Sequence, residues 1–482
     1  MSVLEGLKPE RVFYYFEEIS KIPHGSGNTK QISDYCVDFA NKQNLKVVQD
    51  EVNNIVIYKE ASKGYENAEP VVLQGHLDMV CEKTKESTHN FETDPLELYV
   101  KNGKVYAKDT TLGGDNGIAV AMTLAVLEDK TLAHPSIEAL FTIDEETGMD
   151  GALAFDMSLL KGKMLINMDS EEEGSLIVGC AGGVHFEAEL PVERIYKEGA
   201  IVEITIEGLT GGHSGVEIHK QRGNAHKLMG RLLYHLRKLF EFNLIETNGG
   251  SKDNVIAQEN KTIIVLPTDI ANDFIHEVKK MEIVWKAEFC SDEPNLVIKT
   301  DIKGNQCVNA FDDAGTNRVI QYLFIVPNGV QVFERDLENQ VETSLNIGSV
   351  KTEEDFVKTV HLVRSSRDSQ NKAIKEQLYA VTDAVGGKGI VNGEFPGWAY
   401  RQESKLREVM IDSYEELYGA KPEILAIHAG LECGLFIGKN PELDCVSFGP
   451  ALSDVHSPQE SMDIASVERS YNYLLTILKN CK

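Results

Sequence analysis

Five residues able to ligate a metal ion each stand just beyond a short apolar run. They are His76 in VVLQGHLDM, Asp115 in TTLGGDNG, Glu146 in LFTIDEETG, Asp169 in MLINMDSEEE and His456 in VSFGPALSDVH. Two imidazoles and three carboxylates make a mixed nitrogen and oxygen set that suits Zn2+, with Co2+ or Mn2+ as alternatives. The carboxylates outnumber what one catalytic zinc needs, so the set implies two divalent ions sharing a bridge. Asp115 is best placed to bridge, because it leaves a glycine-rich turn and heads a helix whose N-terminus favours anions. Glu145, beside Glu146, is left free for proton transfer, and a positioned base is worth about 10²–10⁴ in rate. The chemistry implied is hydrolysis.

Each of these residues has a blander reading when taken alone. Asp115 could be an ordinary helix cap, and the DEE run at Asp144 to Glu146 a solvated acidic turn. Asp78 lies two residues from His76 and would share its face in an extended segment, where it could orient the imidazole. Capping a helix is the alternative for Asp78. The recurrence of such residues at strand ends favours the metal reading. A second local signal is GLTGGHSG, where His213 sits among glycines and could donate a hydrogen bond to a developing oxyanion. A glycine-rich turn with an incidental histidine explains that stretch equally well.

The elements that must position these groups are legible in the pattern. Residues 8–22 and 28–43 have helical spacing of apolar positions, and LKVVQDEVNNIVIYK and PVVLQ read as strands. IEALFTI and MLINM are short, continuously apolar runs that fit interior strands of a parallel sheet covered by helices. IAVAMTLAVLED is a helix apolar on all sides, hence buried. Sheets of this kind gather ligands at the carboxyl ends of their strands, where the five candidates fall. The fold expected is α/β, a largely parallel sheet flanked by helices, with a large inserted α+β lid. Residues 1–182 and 397–482 form the catalytic domain, and residues 183–396 the insertion. Its strands are read at VHFEAEL, IVEITIEG, NVIAQE, TIIVLP, ETSLNIGSV and FVKTVHLV, its helices at GNAHKLMGRLLYHLRKLFE and SQNKAIKEQLYAVTDAV.

A net charge of −28 argues against nucleic acid or an anionic membrane as partner. No apolar stretch reaches the ~18 residues of a membrane span. The N-terminal sequence lacks the pattern of a signal peptide. The eight cysteines contain no CxxC pair and suit reduced thiols, Cys81 reading as a small buried hydrophobe. A cytoplasmic protein is expected.

HLDM, GGDNG, DEETG, NMDSEE, GGHSG and SDVHSP, in this order, resemble the cytosolic aminoacyl-histidine dipeptidases, carnosinase-like members of the di-zinc peptidase and aminoacylase superfamily. The resemblance spans essentially the whole chain. It implies His76 and Asp169 on one metal, Glu146 and His456 on the other, and Asp115 between them. Glu145 would be the general base, Asp78 the acid that orients His76, and the Asp115–Asn116 bond cis. It implies that His213 stabilises the oxyanion, that Asn254 contacts substrate and that Arg364 clamps the dipeptide carboxylate. Gly430 would supply a backbone contact. The function implied is metal-dependent hydrolysis of dipeptides, of broad or Xaa-His specificity. A tripeptidase, an N-acyl amino-acid deacylase and a catalytically dead metal-binding scaffold are the rivals. A homodimer is left open.

Overall fold

The computed structural model describes residues 2–482 and divides them into two compact units. Of the described residues, unit 1 comprises 2–179, 400–426 and 431–482, and unit 2 comprises 180–399 with 427–430. The boundaries fall at 179/180 and 399/400, where 182/183 and 396/397 were expected, and the short segment 427–430 also joins unit 2. Ala181 N–H donates to both Ile427 and Ala429 carbonyls, which draws that segment to unit 2.

Unit 1 is built on an eight-stranded sheet. Its order is Lys46–Gln49, Ile55–Lys59, Ile137–Thr142, Val71–His76, Met164–Asn167, Asp444–Ser447, Ser175–Cys180 and Glu423–Ile427. The four strands from Ile137–Thr142 to Asp444–Ser447 run parallel, whereas the strands at Lys46 and Ile55 join antiparallel. The three central strands Ile137–Thr142, Val71–His76 and Met164–Asn167 are buried along their whole length, as continuous apolar runs require when helices cover both faces. Helix Gly114–Glu128 is buried from Asn116 through Leu127 and packs on the Val71–His76 strand and on helix Glu10–Ile19. A small four-stranded sheet joins Leu98–Lys101 and Lys104–Ala107 to Ser461–Asp463 and Leu452–Ser453, flanking the His456 loop.

Unit 2 is an antiparallel sheet whose long axis runs from edge strand Val297–Phe311 to edge strand Lys388–Phe395. Helices Ala225–Arg237, Ala271–Glu288, Asp313–Ile325 and Asp368–Ala384 contribute to one apolar core with the sheet, centred on Phe186, Phe242, Trp285 and Tyr322. Several segments differ from the strand reading. Val297–Phe311, Asn243–Gly250 and Lys388–Phe395 are strands that the pattern did not announce. NVIAQE is a loop, because the Asn346 side-chain amide donates to the Asp253 and Val255 carbonyls (2.7 and 2.8 Å) in place of a ladder.

Candidate metal centre and a buried cationic cluster

The strand ends of unit 1 deliver the candidate ligands together. His76 closes its strand, Glu145 and Glu146 follow Ile137–Thr142 in a short helical turn, and Asp169 follows Met164–Asn167. Asp115 leaves a turn in which Gly113 takes φ 67°, a conformation that L side chains rarely adopt. A Cβ at Gly113 would also meet the Met79 sulfur at 2.9 Å. The Asp115–Asn116 peptide is cis. His456, half exposed, is carried on a loop and itself has φ 61°.

The geometry sorts these groups around Asp115. His76 Nε2 lies 3.0 Å from Asp115 Oδ1 and 3.3 Å from Asp169 Oδ1. His456 Nε2 lies 3.2 Å from the other oxygen, Asp115 Oδ2, and 3.0 Å from the Glu146 carboxylate. His76, Asp115 and Glu146 each offer a ligand atom within 4.8 Å of the others. Bonds of about 2.0–2.1 Å in a tetrahedral site put neighbouring donor atoms about 3.3 Å apart, so these spacings fit shared divalent ions. The tautomer fits as well. His76 Nδ1 donates to the Asp78 carbonyl (3.0 Å), which leaves the Nε2 lone pair facing Asp115 and Asp169.

The electrostatics call for cations. Burial opposes it, yet Asp169, Asp115 and Asp78 raise the His76 pKa well above the ordinary value. Asp115 and then Glu146 push His456 up to about 11. Burial raises Asp169 well above the carboxylate range, Asp115 and Glu145 adding to the shift. Glu145 is pushed up to about 8 by burial, with Glu432, Glu146 and Asp115 adding and His76 opposing. Glu145 makes no hydrogen bond to either histidine, in contrast to Glu146. It is a carboxylate beside the ligand set whose environment favours holding a proton.

Asp78 is brought into the cluster and does more than orient one ring. Its carboxylate accepts from the backbone N–H of Glu145 and Glu146 (3.0 and 3.3 Å) and from the Ser26 hydroxyl (2.8 Å), and lies 3.3 Å from His76 Nδ1. Burial opposes ionisation of Asp78, but His76, Ser26 and the Glu145 N–H together hold its pKa below the usual range.

Three further residues support the site, and the sequence reading missed their roles. Asn116 accepts the His76 N–H (3.2 Å) and donates to the Met168 carbonyl (2.8 Å), tying two ligand-bearing strand ends. Glu432, fully buried, accepts from Gln74 (2.5 Å) and Thr142 (2.8 Å), while Asn167 donates to Gln74 (2.5 Å). This polar chain links the strands that carry His76, the Glu145–Glu146 turn and Asp169. Glu460 accepts backbone N–H groups of the Asp115 turn. A single carboxylate inside the apolar run AGLECGLFIG was the signal that could have found Glu432. Cys81 is exposed, not buried, and no disulfide joins cysteines among the described residues.

In unit 2 the structure gathers His213, Arg364 and His428. Arg364 is 6% exposed, yet its Nε has no hydrogen-bond partner among the described residues. Burial lowers its pKa to about 10, Asp253 opposing, so it remains charged at neutral pH. His213 Nδ1 accepts the Gly215 and Val216 N–H groups (3.1 and 3.2 Å). That arrangement places the ring proton on Nε2 and fixes a ring the glycines alone would leave free. Burial and then Arg364 lower the His213 pKa, which keeps the ring neutral. His428, lowered to about 3 by burial, Arg364 and His213, accepts or donates at Ser344 Oγ (2.8 Å), and Ser344 pairs with Arg364 across the sheet. Asn254 joins through its carbonyl, which accepts the Ser214 N–H (2.9 Å); its buried Oδ1 has no partner among the described residues. Gly430 lies in the same unit, two residues from His428.

Comparison with known proteins identifies the family. The model of peptidase family M20/M25/M40 matches residues 72–480. The cytosol non-specific dipeptidase of Escherichia coli is 38% identical over 99% of this chain and 99% of its own length. The crystal structure of an aminoacylhistidine dipeptidase from Vibrio alginolyticus superposes with a TM-score of 0.94 at 38% identity, covering 99% of this chain and 97% of that one. A tripeptidase from Staphylococcus aureus shares the fold at a TM-score of 0.56 and 15% identity, covering 98% and 99%.

Proposed function

The chain belongs to peptidase family M20/M25/M40, and on that premise we propose that it is a metal-dependent dipeptidase acting on free dipeptides, Xaa-His among them. The observation that carries this reading is the pair of contacts made by Asp115, one oxygen toward each histidine, beside a Glu145 that neither histidine engages.

His76 and Asp169 would hold one divalent ion, Glu146 and His456 a second, with Asp115 shared and zinc the expected metal. When bound, such ions supply Lewis acidity toward the scissile carbonyl and the attacking water. Glu145 takes the proton from that water and returns it to the leaving amine. A raised pKa makes the ionised carboxylate a stronger base and lets the carboxyl keep the proton for the leaving amine. Asp78 holds the Glu145 and Glu146 backbone and the His76 ring in place. His213, whose ring proton sits on Nε2, is assigned the donation to the oxyanion. Arg364 is assigned the terminal carboxylate, with Asn254 and the Gly430 backbone as further substrate contacts. A buried guanidinium with a free Nε matches the planar fork that binds carboxylate. The Escherichia coli relative is named a cytosol enzyme, and we place the activity there.

The test is hydrolysis of Ala-His, β-Ala-His, Gly-Gly, Leu-Leu, Gly-Gly-Gly and N-acetyl-Met before and after chelation and zinc re-addition. Cleavage confined to the free dipeptides, lost on chelation and restored by zinc, is expected. Preference for the tripeptide or the acetyl compound would move the substrate class and leave the metal reading standing.

A further inference from the structure

We propose that Glu460 is a positioning residue of the metal centre, a clamp that sets the distance between Asp115 and His456. The inference rests on the reading of those two residues as metal ligands.

Glu460 is 3% exposed, and its carboxylate faces four consecutive backbone N–H groups. Oε2 accepts from Leu112 (2.7 Å) and Gly113 (3.2 Å), and Oε1 accepts from Gly114 (2.8 Å) and Asp115 (3.4 Å). No cationic side chain pairs with it among the described residues. A carboxyl group is costly to bury without hydrogen-bond partners, and here backbone N–H groups supply them. These same N–H groups lie at the start of helix Gly114–Glu128, where the helix itself supplies no acceptors.

The other end of the clamp is the His456 loop. Ser457 Oγ donates to the Asp454 carbonyl (2.7 Å) and accepts the Gln459 N–H (3.2 Å), and Glu460 N–H donates to the Ser457 carbonyl (3.0 Å). His456 and Glu460 therefore share one tight turn. With Glu460 anchored on residues 112–115, the turn cannot drift from Asp115 without breaking those hydrogen bonds. That fixes the 3.2 Å approach of His456 Nε2 to Asp115 Oδ2. The packing is close: a Cβ added at Gly114 would lie 3.2 Å from Glu460 Oε1. Helix capping alone would need no connection to a ligand-bearing loop.

The experiment is a zinc titration of the chelator-stripped full chain against a chromophoric competitor, wild type beside Glu460→Gln. The amide is isosteric but turns a donor toward N–H groups that need an acceptor. Wild type is expected to take up two zinc ions. In the variant one binding step should weaken at least tenfold, with the far-UV circular dichroism unchanged and kcat for Ala-His reduced more than KM is raised. A variant that melts at lower temperature yet binds both zinc ions within twofold of wild type would show a purely structural role and overturn the inference. Should Glu460→Gln fail to fold, Gly114→Ala, which crowds the same oxygen, is read by the same criterion. A wild-type chain that takes up no zinc would overturn the metal reading itself, a result distinct from an unaffected variant.

Discussion

Unit 1 gathers acids at its site, whereas unit 2 gathers bases. In unit 1, Asp115, Glu145, Glu146, Asp169 and the buried Glu432 stand around two histidines that the carboxylates drive toward the charged state. In unit 2, Arg364 stays charged while buried, and burial beside it keeps His213 and His428 neutral. Low-dielectric surroundings magnify both imbalances, and each is relieved by a ligand of opposite sign. The first imbalance suits divalent cations and the second an anion such as a peptide carboxylate. Under the proposed function, the two demands of dipeptide hydrolysis, activating water and recognising a free terminus, would fall to residues of different units.

The comparison breaks most readily at Glu145. Glu145→Gln removes the base but none of the ligands, so kcat should fall about 10²–10⁴-fold with zinc content unchanged. A variant that kept its activity would overturn the assignment of Glu145 as the base. His213→Ala should cost about 10²–10³ in kcat, the usual loss for one oxyanion donor, again without altering zinc content. Arg364→Ala acts on binding: truncating a buried charge partner costs about 2–5 kcal/mol, so KM for Ala-His should rise roughly 30-fold or more. The carboxy-terminal amide of the same dipeptide supplies no carboxylate, and wild type and variant should treat it alike. An equal loss on the amide would mean that Arg364 serves the fold.

The smallest expected effect is one of pH. His226, His361 and His428 in unit 2 are held at about 4, 3 and 3, chiefly by burial, below the ordinary 6.5. A depressed histidine contributes stability that is present above the unfolded pKa and lost as pH falls toward the folded one. Unit 2 should therefore lose stability between pH 6.5 and about 4, with proton uptake on unfolding. Denaturation midpoints at pH 7.5, 6.0 and 5.0 check this, and a flat profile would contradict it.

Sequence and structure agree best where burial is complete. The runs IEALFTI and MLINM could be read as interior strands because both faces are covered, and the ligands follow at their ends. Strand Val297–Phe311 escaped because its edge position leaves KTDIKGNQC largely exposed, so no apolar pattern is needed. Glu145 and Glu146 could be separated by role on paper, yet only the folded turn shows which one faces His456.

The sequence by itself determined the set of candidate ligands, because donor chemistry is a property of residue type and these residues sit in recognisable local turns. It determined the buried strands for the same reason, since continuous apolar runs declare themselves locally. Tertiary structure alone decided which oxygen of Asp115 meets which histidine and which ring nitrogen of His213 carries its proton. It alone recruited Asn116, Glu432 and Glu460 as supports. Those contacts join residues as far as 358 positions apart, and hydrogen bonds across such separations leave no periodicity in the chain.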